Sequence, residues 1–239
     1  MDKYIAEENS KWKNLYKMGG VAAIISAVLL LIEIIVFTLW PQPTTALGYF
    51  TLIQSNKLIG LIDFYLLEFI AYALFIPIFL ALYMALKRLN ESYMLLSITL
   101  AIVGITIFLA TNNSFSMIPL SNQYLIATTE VQKSILLAAG QTLLVNTGQR
   151  AVGGFNTGFL LISIAGLLIS KIMLQSNIFS KTTAYVGILA FAISLADYLR
   201  IIFLPSELIL LLIIAILSGI LLLVWLVLIG RSLILFSTK

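Results

Sequence analysis

The sequence predicts an all-α membrane protein, a bundle of six transmembrane helices with a re-entrant or interfacial helix between the third and fourth spans. The first observation is composition: 61% of the residues are hydrophobic, 10% are charged, and the mean hydropathy is +1.09. A soluble domain carries about a quarter charged residues, so this chain lacks the polar side chains to cover a water-facing surface. The second observation is arrangement, because the apolar residues fall in runs of about the 20 residues that a helix needs to cross a bilayer.

Six such runs follow one another along the chain. The first ends at Trp40-Pro41, an interfacial aromatic followed by a helix breaker, and the second ends on the cations Lys87-Arg88. The fourth opens in a glycine-rich stretch, and the last is almost entirely aliphatic. The predicted spans are 18–40, 59–86, 93–110, 151–174, 182–204 and 208–229. They form a membrane domain at 18–231, between an N-terminal segment at 1–17 and a C-terminal tail at 232–239.

Two further segments are predicted to lie outside the six spans. At 130–146, Thr129 and Gln132 form a capping-box pattern at the start of a helix. Its apolar part is too short to span, which favours a re-entrant or interfacial helix over a seventh span. Residues 1–17 fit either an interfacial amphipathic helix or a polar tail.

The distribution of cations predicts the orientation in the membrane. With six spans, ten of the 14 Lys and Arg residues share the side that holds both termini. Loops on the cytoplasmic side carry the excess of Lys and Arg, so we expect a protein of the cell membrane with both termini in the cytoplasm. The residues on that side are Lys3, Lys11, Lys13, Lys17, Lys87, Arg88, Lys171, Lys181, Arg231 and Lys239.

The composition also excludes several classes of chemistry. The chain has no cysteine and no histidine, which removes disulfides, thiol nucleophiles and the commonest metal ligand. We therefore predict no catalytic residues, no metal and no cofactor. Because the cations stand at the ends of apolar runs, they indicate membrane topology rather than binding of nucleic acid. The expected environment is the lipid bilayer, with protein partners in a membrane complex as an open hypothesis and no prediction of oligomeric state.

Charged residues inside the predicted spans are the candidate ligand-binding or proton-coupling residues. A charge in hydrocarbon costs several kcal/mol, so such a group must face protein, water or a partner. Asp197 and Arg200, three residues apart, can pair on one helix face, while Arg150 and Lys57 are candidate partners for the remaining acids. All of these charges are predicted to gather in the outer half of the bundle. The candidates are Glu33, Asp63, Glu68, Arg150, Asp197 and Arg200.

Small residues at four-residue spacing mark the helix faces predicted to pack closely. Gly19, Ala23 and Ala27 form one such series in the first span, and Gly154 with Gly158 forms a GxxxG pair in the fourth. Such faces let two helix backbones approach each other.

Three hypotheses for the function remain open from the residues. The first is a non-enzymatic accessory subunit or stand-alone membrane component, in which the buried charges only lock the bundle. The second is a small transporter or polar-ligand-binding protein that uses an outward-facing acidic cavity. The third is an intramembrane enzyme acting on lipid.

Four segments show a resemblance to a known family. They are IPIFLALYMALKRLN, NNSFSMIPLSNQYLIATTEVQKSILLAAGQTLL, IMLQSNIFSKTTAYVGILA and LLVWLVLIGRSL. With these segments the chain resembles a family of small multi-span prokaryotic membrane proteins, the domain of unknown function family DUF4386. The resemblance implies a helical bundle in a prokaryotic cytoplasmic membrane. It implies no activity and no functional residues.

Overall fold

The structure is a computed structural model that describes residues 11–147, 155–203 and 208–238, and in these ranges it contains helices and no strands. This confirms the predicted all-α class. Arg150 and Gly154 and most of the N-terminal segment 1–17 lie outside the described residues. The helices of the described ranges are α1 Lys13–Leu39, α2 Ala46–Ser55, α3 Lys57–Asp63, α4 Leu66–Leu86, α5 Glu91–Thr111, α6 Met117–Ile126, α7 Glu130–Asn146, α8 Phe155–Met173, α9 Lys181–Phe203 and α10 Leu208–Ser237.

Six of these helices are long and apolar enough to cross a membrane, which confirms the six predicted spans. They are α1, α4, α5, α8, α9 and α10. At about 1.5 Å per residue, the 21 residues of α4 and of α5 each reach about the thickness of the hydrocarbon core. The chain is therefore a multi-pass protein of a lipid bilayer.

The six spanning helices form a closed ring in chain order. Each packs on the next, from α1 against α4 to α9 against α10, and α10 closes the ring by packing on α1. The ring's core is rich in aromatic rings: Tyr72 stacks on Phe108 with centroids 4.3 Å apart, and Phe159 meets both rings edge-on. Consecutive packing brings residues that are distant in sequence to a shared interior.

Small residues lie where the ring helices approach most closely. Gly19, Ala23 and Ala27 are all buried, and a Cβ on Gly19 would lie 2.8 Å from the carbonyl oxygen of Pro77 on α4. Gly158 crosses α5 at Gly104, and a Cβ on Gly158 would lie 2.7 Å from the Gly104 carbonyl oxygen. At both crossings a side chain would push the two backbones apart.

The second span differs from its predicted extent of 59–86. The helix is interrupted after Asp63, and α4 begins at Leu66 after Tyr65 in the left-handed region (φ 66°). Polar side chains from elsewhere satisfy the carbonyl groups at the break: Ser114 donates to Phe64, and Asn112 donates to Tyr65 over 3.2 Å. The Ser114 bond takes the place of a helical bond at Phe64, whereas the Tyr65 carbonyl also accepts from the Phe69 N–H of α4. Asp63 lies before this break, outside the spanning helix.

Four short helices form a separate cluster, which we call the cap (α2, α3, α6 and α7). Its core is Tyr49, Phe50, Ile53, Phe64 and Met117. The cap lies where α1 ends and α4 begins, the end of the ring opposite α1's start and α10's end. We call this the cap end.

Side-chain caps start several of these helices. Thr45, Asn56 and Asn90 each accept a hydrogen bond from a backbone N–H in the first turn of α2, α3 and α5. Thr129 and Gln132 form the predicted capping box of α7. Helix α7 packs on α2 and α6, and its re-entrant or interfacial position in the membrane stays a prediction.

Candidate functional site

A cavity of about 190 Å³ lies inside the ring at the cap end, and we call it the central cavity. Five of the six ring helices line it in the described part of the chain: α1, α4, α8, α9 and α10. It is far larger than the roughly 10–15 Å³ that one buried water needs. Its polar lining consists of Glu33, Glu68, Tyr72, Asn156, Ser194, Asp197, Tyr198 and Ser218.

Three carboxylates from three helices meet in the central cavity. Glu33 lies near the end of α1, Glu68 in the first turn of α4, and Asp197 in the second half of α9. Those stretches all lie at the cap end, because consecutive helices of the ring run in opposite directions. The fold thus places three of the predicted acids in one cavity.

Glu33 and Glu68 are neighbours across the α1–α4 contact. The Glu33 carboxyl group lies close to the backbone N–H and the carboxyl group of Glu68. Glu33 is only 3% exposed. Within the described residues, Oε1 of Glu33 and Oε2 of Glu68 are buried without a hydrogen-bond partner. Each therefore has a free acceptor position next to the cavity.

Asp197 is neutralised locally, in contrast to these two acids. Arg200 Nε donates to Asp197 Oδ1 over 2.7 Å, the pairing expected from their spacing of three residues. The Arg200 side chain is 4% exposed, whereas the Asp197 side chain is 23% exposed. With this ion pair neutral, Glu33 and Glu68 are the acids of the described lining that form no ion pair with a basic side chain.

Asp63 lies apart from the other acids, in the cap. It ends α3, is fully buried, and neither carboxyl oxygen has a hydrogen-bond partner in the described ranges. Burial raises the pKa of Asp63 to about 6. Lys57, one of its predicted partners, is exposed at the first residue of α3. The prediction from sequence therefore grouped Asp63 with Glu33 and Glu68, from which the helix break separates it.

Neutral side chains of the cavity were not predicted from the sequence. Tyr72, Asn156 and Tyr198 lie on its wall, and Ser194 does too, although its hydroxyl donates to the Ala190 carbonyl of its own helix over 2.9 Å. A polar residue inside an apolar run is the only signal they carry. That signal does not tell which side of the helix faces the interior.

The carboxylates line one cavity without converging on a point. In the described part of the chain, no group of three or more Asp or Glu side chains is placed so that it could hold a metal ion. The remaining lining is aliphatic or aromatic, with Phe37 and Phe159 among the larger side chains. The arrangement is thus an apolar chamber with acidic groups on its wall.

Comparison with protein families gives a match over most of the chain. A family model described as Domain of unknown function (DUF4386) matches residues 15–230, which is most of the chain. No curated protein and no solved structure matches it. The match confirms the resemblance found in the sequence: this chain belongs to the DUF4386 family.

Proposed function

We propose that this chain is a non-catalytic protein of the cell membrane whose central cavity binds a small polar ligand. The observation that carries the proposal is the pair of neighbouring carboxyl groups, Glu33 and Glu68, with free acceptor oxygens beside a cavity enclosed by the ring. Such a binding step is common to small transporters and to membrane receptors.

The cost of these two acids favours a binding role over a purely structural one. A buried polar group without a hydrogen-bond partner costs about 1–3 kcal/mol, and more when it is charged. Asp197 and Arg200 compensate each other, but the described residues offer Glu33 and Glu68 no cation. A bundle that needed only to hold together would be more stable with apolar residues at these two positions.

The available side chains favour binding over catalysis. The chain has no histidine and no cysteine, and the Ser194 hydroxyl on the cavity wall is bonded to its own helix. A nucleophile needs a base within hydrogen-bond reach, and an unbonded hydroxyl beside a base is the arrangement to seek in an enzyme. We therefore propose that the protein binds the molecule in the cavity and releases it without a chemical reaction.

The hypothesis of an accessory subunit receives less support. An accessory subunit is expected to bury small-residue faces such as Gly154 and Gly158 against another chain, whereas Gly158 packs against Gly104 within the same ring. Its Cβ position is therefore not available to a partner. Protein partners remain a prediction that the purification below tests.

We also propose that both termini lie in the cytoplasm, with the cap on the opposite side of the cell membrane. The chain has no native cysteine, so single cysteines report sidedness directly. In intact cells, an impermeant thiol reagent should label Gln132→Cys on the cap and should spare Thr238→Cys until the cells are opened. Labelling of Thr238→Cys in intact cells would contradict this orientation.

Purification from native membranes tests the binding role. Gly219 lines the cavity, and a Cβ built on it meets no atom within 4 Å, so Gly219→Leu should fill the cavity without displacing a helix. Ile220→Phe is the matched control, because Ile220 is exposed on the same helix. Wild type and control should carry a small molecule detectable by mass spectrometry that Gly219→Leu lacks.

Two results would reject the binding role. One is an identical small-molecule content in all three proteins. The other is a stoichiometric protein partner in all three without any bound small molecule, which would restore the accessory-subunit hypothesis.

A further inference from the structure

We propose that the ligand of the central cavity is a small organic cation, an amine or quaternary ammonium group attached to an apolar body. The inference rests on the proposed function and specifies the chemical class of its ligand. Three properties of the lining lead to it: charge, aromatic rings and size.

The charge of the lining favours a cation. Glu33, Glu68 and Asp197 line the cavity, and Arg200 pairs with Asp197 through Nε, while Arg200 Nη2 is buried without a hydrogen-bond partner among the described residues. In a site of low dielectric, an ammonium group beside Glu33 and Glu68 is strongly attracted by their carboxylate forms, so its binding favours ionisation of these acids. An anion would be repelled by the same two acids, and a neutral ligand would gain no charge attraction from them.

Aromatic rings form much of the remaining wall. Phe37, Tyr72, Phe159 and Tyr198 line the cavity. Tyr72 and Phe159 are fixed edge to face with centroids 5.0 Å apart, and Phe37 is fixed against Tyr65 outside the cavity at 6.0 Å. An ammonium group within about 6 Å of a ring centroid is attracted by its face, most strongly where water is excluded. An ammonium group in the cavity would therefore lie near aromatic rings as well as acidic side chains.

Size and the other side chains exclude simpler cations. A hydrated metal ion prefers a shell of six or more oxygen ligands, whereas much of this wall is aliphatic or aromatic. Proton binding to a carboxyl group does not require a cavity of this size. The volume of about 190 Å³ lies below the roughly 300–1,000 Å³ of drug-sized pockets, which favours a compact amine.

Three probes of nearly the same shape and different charge test the inference on the purified full chain. They are choline, its neutral carbon isostere neohexyl alcohol, and the anion tert-butylacetate. Binding of each is measured by calorimetry and by the rise in melting temperature that a ligand of the folded state produces. We expect choline to bind at least about tenfold more tightly than the alcohol, and the anion not to bind.

Variants locate the effect. Glu33→Gln and Glu68→Gln should each weaken choline binding by about tenfold or more, because each removes one of the two acids that attract the ammonium group. Glu91→Gln should leave it unchanged, because Glu91 is exposed at the other end of the bundle. If the glutamine variants fail to fold, binding of choline and of the alcohol to wild type still shows whether the cavity prefers a cation.

Two results would overturn the inference on ligand class. The first is binding of the alcohol or the anion as tightly as choline, abolished by Gly219→Leu, which would leave the binding role intact. The second is no binding of choline to a protein that carries a cavity-dependent molecule from the membrane. The binding role itself fails only when no such molecule is found, so the two failures are distinguishable.

Discussion

A methyl group added at Gly187 should weaken the contact between three ring helices. Gly187 on α9 faces Ser170 of α8 and Trp225 of α10. A Cβ at this position would overlap Ser170 Oγ and Trp225 Nε1, and it would lie 2.7 Å from Trp225 Cδ1. Both neighbours are completely buried, so neither can turn aside into open space.

The size of the effect follows from this overlap. Forcing one extra carbon into a packed core costs about 1–3 kcal/mol. Alanine is intrinsically better than glycine in a helix by about 1 kcal/mol, which offsets part of that cost. Because the Trp225 ring cannot withdraw without shifting α10, we expect the upper part of the range and a net loss of about 1–2 kcal/mol.

Thermal unfolding of the purified protein measures the loss, and Gly219→Ala is its matched control. For a chain of this size, 1 kcal/mol corresponds to roughly 2–4 °C in melting temperature. Gly187→Ala should therefore lower the melting temperature by a few degrees. Gly219→Ala should hold or raise it, because its Cβ meets no atom within 4 Å. Equal shifts in the two variants would refute the packing described for α9.

Three further changes concern the cap and its junction with the ring. Folding raises the pKa of Asp63 from 3.8 to about 6, so the folded protein binds this proton more tightly than the unfolded chain does. Wild type should then lose stability, by up to about 3 kcal/mol, as pH rises from 4 to 6. The melting temperature of Asp63→Asn should depend less on pH, and this variant should be more stable than wild type above pH 6. Ser114→Ala should lower the melting temperature by the equivalent of about 1–3 kcal/mol, because the Phe64 carbonyl loses the hydroxyl that donates to it; Ser134→Ala, exposed on α7, should change little. Thr129→Ala should remove about 1 kcal/mol from the start of α7, seen as faster amide exchange in its first turn with exchange in α5 unchanged.

Features that depend on local sequence could be predicted. The six spans follow from apolar runs of sufficient length, and the capping box of α7 follows from Thr129 and Gln132. The Asp197–Arg200 ion pair follows from a spacing of three residues on one helix. In the capping box and the ion pair, the two partners lie within a few residues of each other, so helix geometry alone decides the contact.

Features that depend on distant contacts could not be predicted. The break at Tyr65 is held by Asn112 and Ser114, and the apolar run through it reads as a continuous helix. The central cavity was missed for another reason: in spans that are apolar on every side, no periodicity marks the face that turns inward. Thus Tyr72 and Asn156 show their role only once the ring order of the helices is known.

The most direct test of the acidic cavity is the reactivity of a single cysteine placed inside it. Gly219→Cys is modified with two small methanethiosulfonates, one carrying a trimethylammonium group and the other a sulfonate group. We expect the cationic reagent to react faster than the anionic one, by at least about tenfold relative to their rates with a free thiol. This preference should fall toward unity when Glu33→Gln and Glu68→Gln are added. Equal rates in the parent variant, a faster anionic reagent, or no reaction with either would contradict a cavity whose acidic side chains attract cations.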